Sequence, residues 1–278
     1  MRTAGHTDAA PVADVPDTFA LAETDSLMLS LSLVRRLRDT VRETPRMRFT
    51  RYGDPSDDDL LCLLGWGNEP DHDPVAWLVD RLTDAGYHVH AVTLPTNIWD
   101  FDRQYLAPVA DYAADREFAG VVAHSTGGLI AAHLDVDARV VYCSPWWGTT
   151  PNPGVEALVV PLFLRLPTAR PFFTVERDVS AIGDLKDPDE YAEGPAGVSP
   201  AFLRTILDAQ SRLPAFDPDD VVFCTLTDEV VGVRAIGRHA TAENIRPYDG
   251  GHEFFASSGR EAVVADLLAA LESGPDAV

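Results

Sequence analysis

The stretch Val121–Ile130, Val-Val-Ala-His-Ser-Thr-Gly-Gly-Leu-Ile, constrains the fold more than any other part of this chain. Gly120 to Ala123 reads as a buried parallel strand, and Gly127-Gly128 open a helical run ending near Leu134. Between them the chain must turn sharply at His124-Ser125-Thr126. A serine on such a strand-to-helix turn has its hydroxyl held out of the sheet, and bulky neighbours would obstruct the backbone. Small residues two before and two after it, Ala123 and Gly127, are a steric requirement. The pattern Ala-x-Ser-x-Gly recurs by chance often enough, in roughly one chain in ten of this length or more, that its meaning depends on its partners.

The surrounding chain alternates strand and helix. Met47–Tyr52, Leu60–Leu64, His88–Thr93, Gly120–Ala123, Arg139–Cys143, Val221–Leu226 and Asn244–Tyr248 read as strands. Asp73–Ala85, Phe101–Arg116, Val230–His239 and Arg260–Leu271 read as helices, the first with Val75, Leu78, Val79 and Leu82 inward. Residues 1–22 read as a loose tail, and Asp25-Ser26 caps a helix running to about Glu43. This βαβα order predicts an α/β fold, a mostly parallel central sheet with helices on both faces. The core spans 23–144 and 214–278. Residues 145–213, rich in proline, form a long insertion read as a helical lid, with the apolar segment Val155–Leu166 and a helix from Ser199-Pro200 to about Leu213.

Charge narrows the partners. The chain of 278 residues holds 44 acidic against 22 basic residues, a net charge of −22, and Lys186 is its single lysine. Such a surface repels phosphate backbones, so no nucleic-acid partner is expected. Concentrated salt would screen the self-repulsion, which makes a halophilic surface the expectation. Cys62, Cys143 and Cys224 lie inside apolar strands without metal-ligand spacing and read as core. No signal peptide or membrane span is read, and the expected compartment is the cytoplasm. The length suits one domain with an insertion, and nothing sets the oligomeric state.

In an open parallel sheet, function gathers beyond the carboxyl ends of the strands. Those loops offer Gly65-Trp66-Gly67, Ser125, Asp228 and His252. A serine hydroxyl needs a base, and an imidazole backed by a carboxylate supplies one. His88 and His90 lie in a strand, His133 at a helix end, His6 in the tail and His239 in a helix. His124 adjoins the serine but is set aside as pointing elsewhere, and His72, in Asp-His-Asp, as a solvated loop residue. His252 remains, after Gly250-Gly251. Asp228 is the first choice of acid, with Glu229 and Asp249 behind it. The Thr126 amide, after the serine, and the Trp66 amide, between glycines, are the candidate oxyanion donors. No cofactor or metal is expected.

With these residues in place, the chain resembles an α/β-hydrolase from Met47 to Leu271, in the lidded branch that includes monoacylglycerol-lipase-like and serine-aminopeptidase-like proteins. The resemblance rests on Leu64-Gly65-Trp66-Gly67, Ala123-His124-Ser125-Thr126-Gly127-Gly128, Thr227-Asp228-Glu229-Val230-Val231 and Gly250-Gly251-His252-Glu253. It implies Ser125 as nucleophile, Asp228 as acid, His252 as base, and Trp66 and Thr126 as oxyanion donors. Leu64 stands where many relatives have His, which would loosen the oxyanion loop, and Ala123 replaces the first glycine. The expected reaction is hydrolysis of a small or medium carboxylic ester, a small-molecule substrate. Trp146, Trp147 and Phe163, with Phe172, Phe173 and Phe202, would line its site. The alternatives are an amide, thioester or carbon–carbon hydrolase on the same triad, or a binding protein that kept the fold.

Overall fold

The computed structural model describes residues 46–149, 163–166, 168–171, 178–195 and 197–278. The expected tail and first helix, most of the apolar segment Val155–Leu166, and Phe172 and Phe173 lie outside the described residues.

Among the described residues seven strands form one sheet: β1 (Arg48–Tyr52), β2 (Asp58–Leu63), β3 (Tyr87–Thr93), β4 (Gly120–His124), β5 (Val140–Cys143), β6 (Val221–Cys224) and β7 (Ile245–Pro247). Their order is β1-β3-β2-β4-β5-β6-β7. β1 runs antiparallel to β3, and every other pairing is parallel. The carboxyl ends of β2, β4, β5, β6 and β7 therefore open on one edge, and all four candidate loops leave from that edge.

Period-two alternation divides the side chains between two layers. Leu61, Leu63, Val121, Ala123, Tyr142 and Val222 share one cluster with Val109 and Ala113 of α2 (Ala107–Ala113), Leu129 and Ile130 of α3 (Thr126–Ala131), and Phe202 and Ile206 of α6 (Pro200–Ser211). Leu60, Cys62, Leu64, Val122, Val141 and Phe223 face the other way. They meet Leu78 and Leu82 of α1 (Asp73–Asp84) and Val264 and Leu267 of α8 (Arg260–Ser273). Each fully buried Leu or Phe contributes about 2 kcal/mol of transfer free energy, so both faces must be covered. All three cysteines are buried and free, as read, and burial pushes the Cys62 thiol up to about 12 and that of Cys224 to about 11. They are not thiolates at neutral pH.

Several element ends differ from the sequence reading for local reasons. The helix expected over Phe101–Arg116 is a π-helical turn, Asp102–Leu106, followed by α2. Pro108 at the start of α2 has no N–H to give to the preceding turn, and the hydrogen-bond register shifts there. α7 spans Val233–His239 rather than starting at Val230, because the Val230 and Val231 amides donate to Asp228 Oδ1 at 2.7 and 2.9 Å instead of entering a helix. A 3₁₀ turn, Ala242–Asn244, takes the start of the last expected strand. Between β5 and β6 the described residues form α4 (Val179–Ile182), α5 (Pro188–Glu193) and α6, whose N-cap Ser199 accepts the Phe202 amide through its side chain as Ser199-Pro200 suggested. No helix among the described residues is long and apolar enough to cross a membrane.

Candidate active site

Ser125 sits between β4 and α3 with φ 51° and ψ −112°, a conformation that costs a non-glycine residue about 1–3 kcal/mol. The surroundings over-determine it. Its N–H donates to the Cys143 carbonyl at 3.0 Å, and its own carbonyl accepts the Trp146 and Leu129 amides at 2.9 and 3.2 Å. Gly127 answers the steric argument directly, since a Cβ there would stand 2.2 Å from the Leu63 carbonyl oxygen. Ser125 is 7% exposed, and its Oγ has no hydrogen-bond partner among the described residues.

Asp228 and His252 meet across the ends of β6 and β7, with His252 Nδ1 2.8 Å from Asp228 Oδ2. The carboxylate's other oxygen takes the Val230 and Val231 amides, so its orientation is fixed from both sides. Burial raises the Asp228 carboxyl, but the hydrogen bond and charge of His252, and then the two amides, outweigh it and hold the group below the usual carboxylate range. The pair thus has an ionised acid behind Nδ1, and Nε2 is left for other work. Glu229 and Asp249, the other acids considered, are exposed.

The loop carrying His252 is clamped. The His252 and Glu253 amides donate to the Ala181 and Ile182 carbonyls of α4 at 3.0 and 2.7 Å. Gly251 is required for that approach, because a Cβ would lie 2.5 Å from the Ile182 oxygen. The Tyr248 hydroxyl sits between the carbonyls of Gly251 and His252, at 3.0 and 3.1 Å, and meets Ser144 Oγ at 3.0 Å.

Neither the Trp66 nor the Thr126 amide donates to an acceptor among the described residues. Two uncommitted N–H groups, one leading into the elbow helix, suit a developing oxyanion. Leu64 packs 1% exposed in the sheet core. The loop is held by Asn68, whose Oδ1 accepts the Gly65 amide at 3.2 Å.

Sequence reasoning missed Asn68, Glu253 and Lys186, and misplaced His124. Asn68 Nδ2 donates to Glu253 Oε1 at 2.7 Å, while Lys186 Nζ donates to Glu253 Oε2 at 3.3 Å. His124 Nδ1 lies 3.2 Å from Asn68 Oδ1, and its ring stands 4.8 Å from the His252 ring. Burial, and then the nearby charges of His252 and Lys186, push the His124 imidazole well below its ordinary range, so it stays neutral beside His252. A lone lysine in an arginine-rich chain and an acid directly after His252 were the available signals.

The aromatic residues divide in two. Trp66 and Trp146 flank Phe202, with ring centroids 5.6 and 6.1 Å from it, and both indole nitrogens are buried without a partner among the described residues. Trp147, expected to line the site, is corrected: it is 3% exposed, packs against Tyr142, Phe216 and His239, and donates through Nε1 to the Gly128 carbonyl. Its ring belongs to the core. Phe163 is half-buried in the segment between β5 and β6, at a turn where its carbonyl accepts the Leu166 amide.

The solved structures similar to this one include a monoacylglycerol lipase from Paleococcus ferrophilus, at 16% identity and a TM-score of 0.64 over 82% of this chain and 99% of that one. A soluble variant of monoglyceride lipase from Saccharomyces cerevisiae, solved with a substrate analogue, matches at 12% identity and a TM-score of 0.62, covering 81% and 91%. An esterase from Exiguobacterium antarcticum matches at 15% identity and a TM-score of 0.54, covering 82% and 96%. At such identities the likeness shows the fold. No curated relative matches the chain by sequence. A family model does, over residues 60–266, the span that holds the elbow, both later strand ends and the loop after β2, and the chain belongs to the alpha/beta hydrolase family.

Proposed function

We propose that this protein is a serine hydrolase that cleaves a small or medium carboxylic ester through an acyl-enzyme. The observation that carries the reading is the buried His252–Asp228 pair, 2.8 Å apart, on the sheet edge that also presents the strained Ser125. Ser125 Oγ attacks the ester carbonyl as His252 Nε2 takes its proton. Asp228 keeps Nδ1 protonated and stabilises the imidazolium. The Trp66 and Thr126 amides receive the oxyanion, and the imidazolium returns its proton to the departing alkoxide. Water then repeats the sequence on the acyl-enzyme.

Residues 145–213 serve as the lid in this reading, with Trp146 and Phe163 contributing to its inner surface. Trp66 and Trp146, packed about Phe202, offer aromatic surface that suits an apolar part of the ester. The lipases and esterases among the similar folds favour an ester over an amide.

Fluorophosphonate labelling tests the nucleophile. The native protein should label stoichiometrically and Ser125→Ala should not label; labelling of Ser125→Ala at the native rate would remove the assignment. A panel of nitrophenyl esters beside peptide and thioester substrates tests the bond, and faster turnover of thioesters or peptides would replace the ester reading.

A further inference from the structure

A second constellation lies at the other end of the sheet, where β2 and β3 begin. Asp59 pairs with His88 in the parallel register and Leu61 with His90, so Asp59, His88 and His90 project on the same face. His88 Nδ1 is 2.7 Å from Asp59 Oδ1, His90 Nε2 is 3.0 Å from the same oxygen, and the two ring nitrogens are 3.1 Å apart. The side chains of His90 and His88 are 2% and 8% exposed, and that of Asp59 is 30% exposed. Two imidazoles thus turn one nitrogen each toward a single oxygen of a partly exposed carboxylate. The sequence reading set both histidines aside as strand residues.

The geometry points to a binding site for one divalent first-row transition ion of the Zn²⁺ or Ni²⁺ kind, held by Asp59 Oδ1, His88 Nδ1 and His90 Nε2. Bond lengths of about 2.0–2.1 Å separate three ligand atoms by about 2.9 Å on one face of an octahedron, and by about 3.3 Å in a tetrahedron. The spacings here match the octahedral face and need a few tenths of an ångström to reach the tetrahedral one. A cation at this point would take one lone pair from each of the three atoms. The exposed side of Asp59 leaves room for water as a further ligand.

The surroundings fit that role. The Tyr112 hydroxyl lies 3.0 Å from His90 Nδ1, so it accepts the proton on that nitrogen when Nε2 binds metal. Tyr112 is itself fixed, stacked on Phe49 at 4.0 Å and covered by the Arg116 guanidinium at 4.0 Å. Phe118 packs edge-on against His90 at 5.4 Å. Arg116 and Arg51, the latter paired with His90 across β1 and β3, oppose the ion, while Asp59 favours it. Two nitrogen donors in three select a transition ion over Mg²⁺ or Ca²⁺. The bound ion would clamp β2 to β3 at the end of the sheet away from Ser125.

Zn²⁺ alone, titrated into chelator-stripped protein against a chromophoric competitor, tests the site. One equivalent should bind, resist about 100-fold excess Mg²⁺, and raise the melting temperature. His90→Gln and Asp59→Asn should weaken that equivalent at least 10–100-fold, while Asp249→Asn should not. Equal affinity in His90→Gln, or loss of the bound equivalent to Mg²⁺, would assign the binding to the acidic surface and overturn the site. Co²⁺ added to the native chain keeps the test independent of how the variants fold: new visible bands from nitrogen ligation are expected, and the spectrum of aqueous Co²⁺ would overturn the proposal.

Discussion

Lys186 Nζ stands 3.3 Å from Glu253 Oε2, with the two side chains 4% and 8% exposed. The chain's single lysine thus neutralises the acid that follows His252, and the same acid reaches Asn68 beneath the oxyanion loop. One buried network, Lys186–Glu253–Asn68–His124, ties together the β5–β6 segment, the His252 loop, the loop after β2 and the elbow. Breaking one partner of such a pair leaves a buried charge. Lys186→Met should cost about 3–5 kcal/mol in urea unfolding, and adding Glu253→Gln should recover part of it. Additive losses in the double variant would show that the two residues do not act as a pair.

Asp228→Asn should leave the backbone in place and lower kcat about 10⁴-fold, because an amide no longer fixes the His252 tautomer. It also has a pH signature. The Asp228 carboxyl is held below its usual range in the folded protein, so its stabilisation is complete above the unfolded value, about 4, and fades as pH falls through the folded one. The native protein and Asp228→Asn should therefore differ most in stability near neutral pH and converge in acid. A constant difference across pH 3–7 would contradict the ionised pair.

Asp220 works in the opposite direction. Burial, with the charges of Asp217 and Asp219, pushes its carboxyl up to about 7 against the pull of the Val140 amide, which donates to it at 2.7 Å. A raised acid favours the folded state when protonated, so stability is lost as pH rises from about 4 through 7. Asp220→Asn keeps an acceptor for Val140 without the charge. It should raise stability by roughly 2–4 kcal/mol at pH 8 and change little at pH 4. Chemical denaturation at both pH values measures this.

Gly127→Ala should be among the most damaging single-methyl changes in the chain. Its Cβ would meet the carbonyl oxygens of Leu63 and Leu64 at 2.2 and 2.7 Å, both backbone atoms of the central sheet. Relief requires moving β2 or the start of α3, at a cost of about 3 kcal/mol or more and with loss of fluorophosphonate labelling. A soluble, fully labelled variant would contradict the packing described at the elbow.

The net charge of −22 predicts strong salt dependence. Melting temperature should rise between low and molar salt as screening relieves self-repulsion. An equal melting temperature at both concentrations would end the halophilic reading.

The α/β alternation, the mostly parallel sheet and its two covered faces were legible because hydrophobic periodicity is local and repeats along the chain. So were the elbow, from the small residues Ala123 and Gly127, and the pairing of Asp228 with His252, from their places after late strands. What the chain alone left unread depends on residues far apart in sequence. His124 is set aside on sequence although its ring stands 4.8 Å from that of His252, and Trp147 is placed at the site although it fills the core, because side-chain direction after a sharp turn is set by what packs against it. Asn68 and Glu253 are 185 positions apart, and no spacing rule links them. His88 and His90 looked like ordinary strand residues until the parallel register set Asp59 beside them. Local pattern determined which elements form and where their loops open. Only the tertiary structure decided which buried polar groups find partners, because burial makes an unpaired charge or N–H costly and the partner comes from wherever the fold brings it.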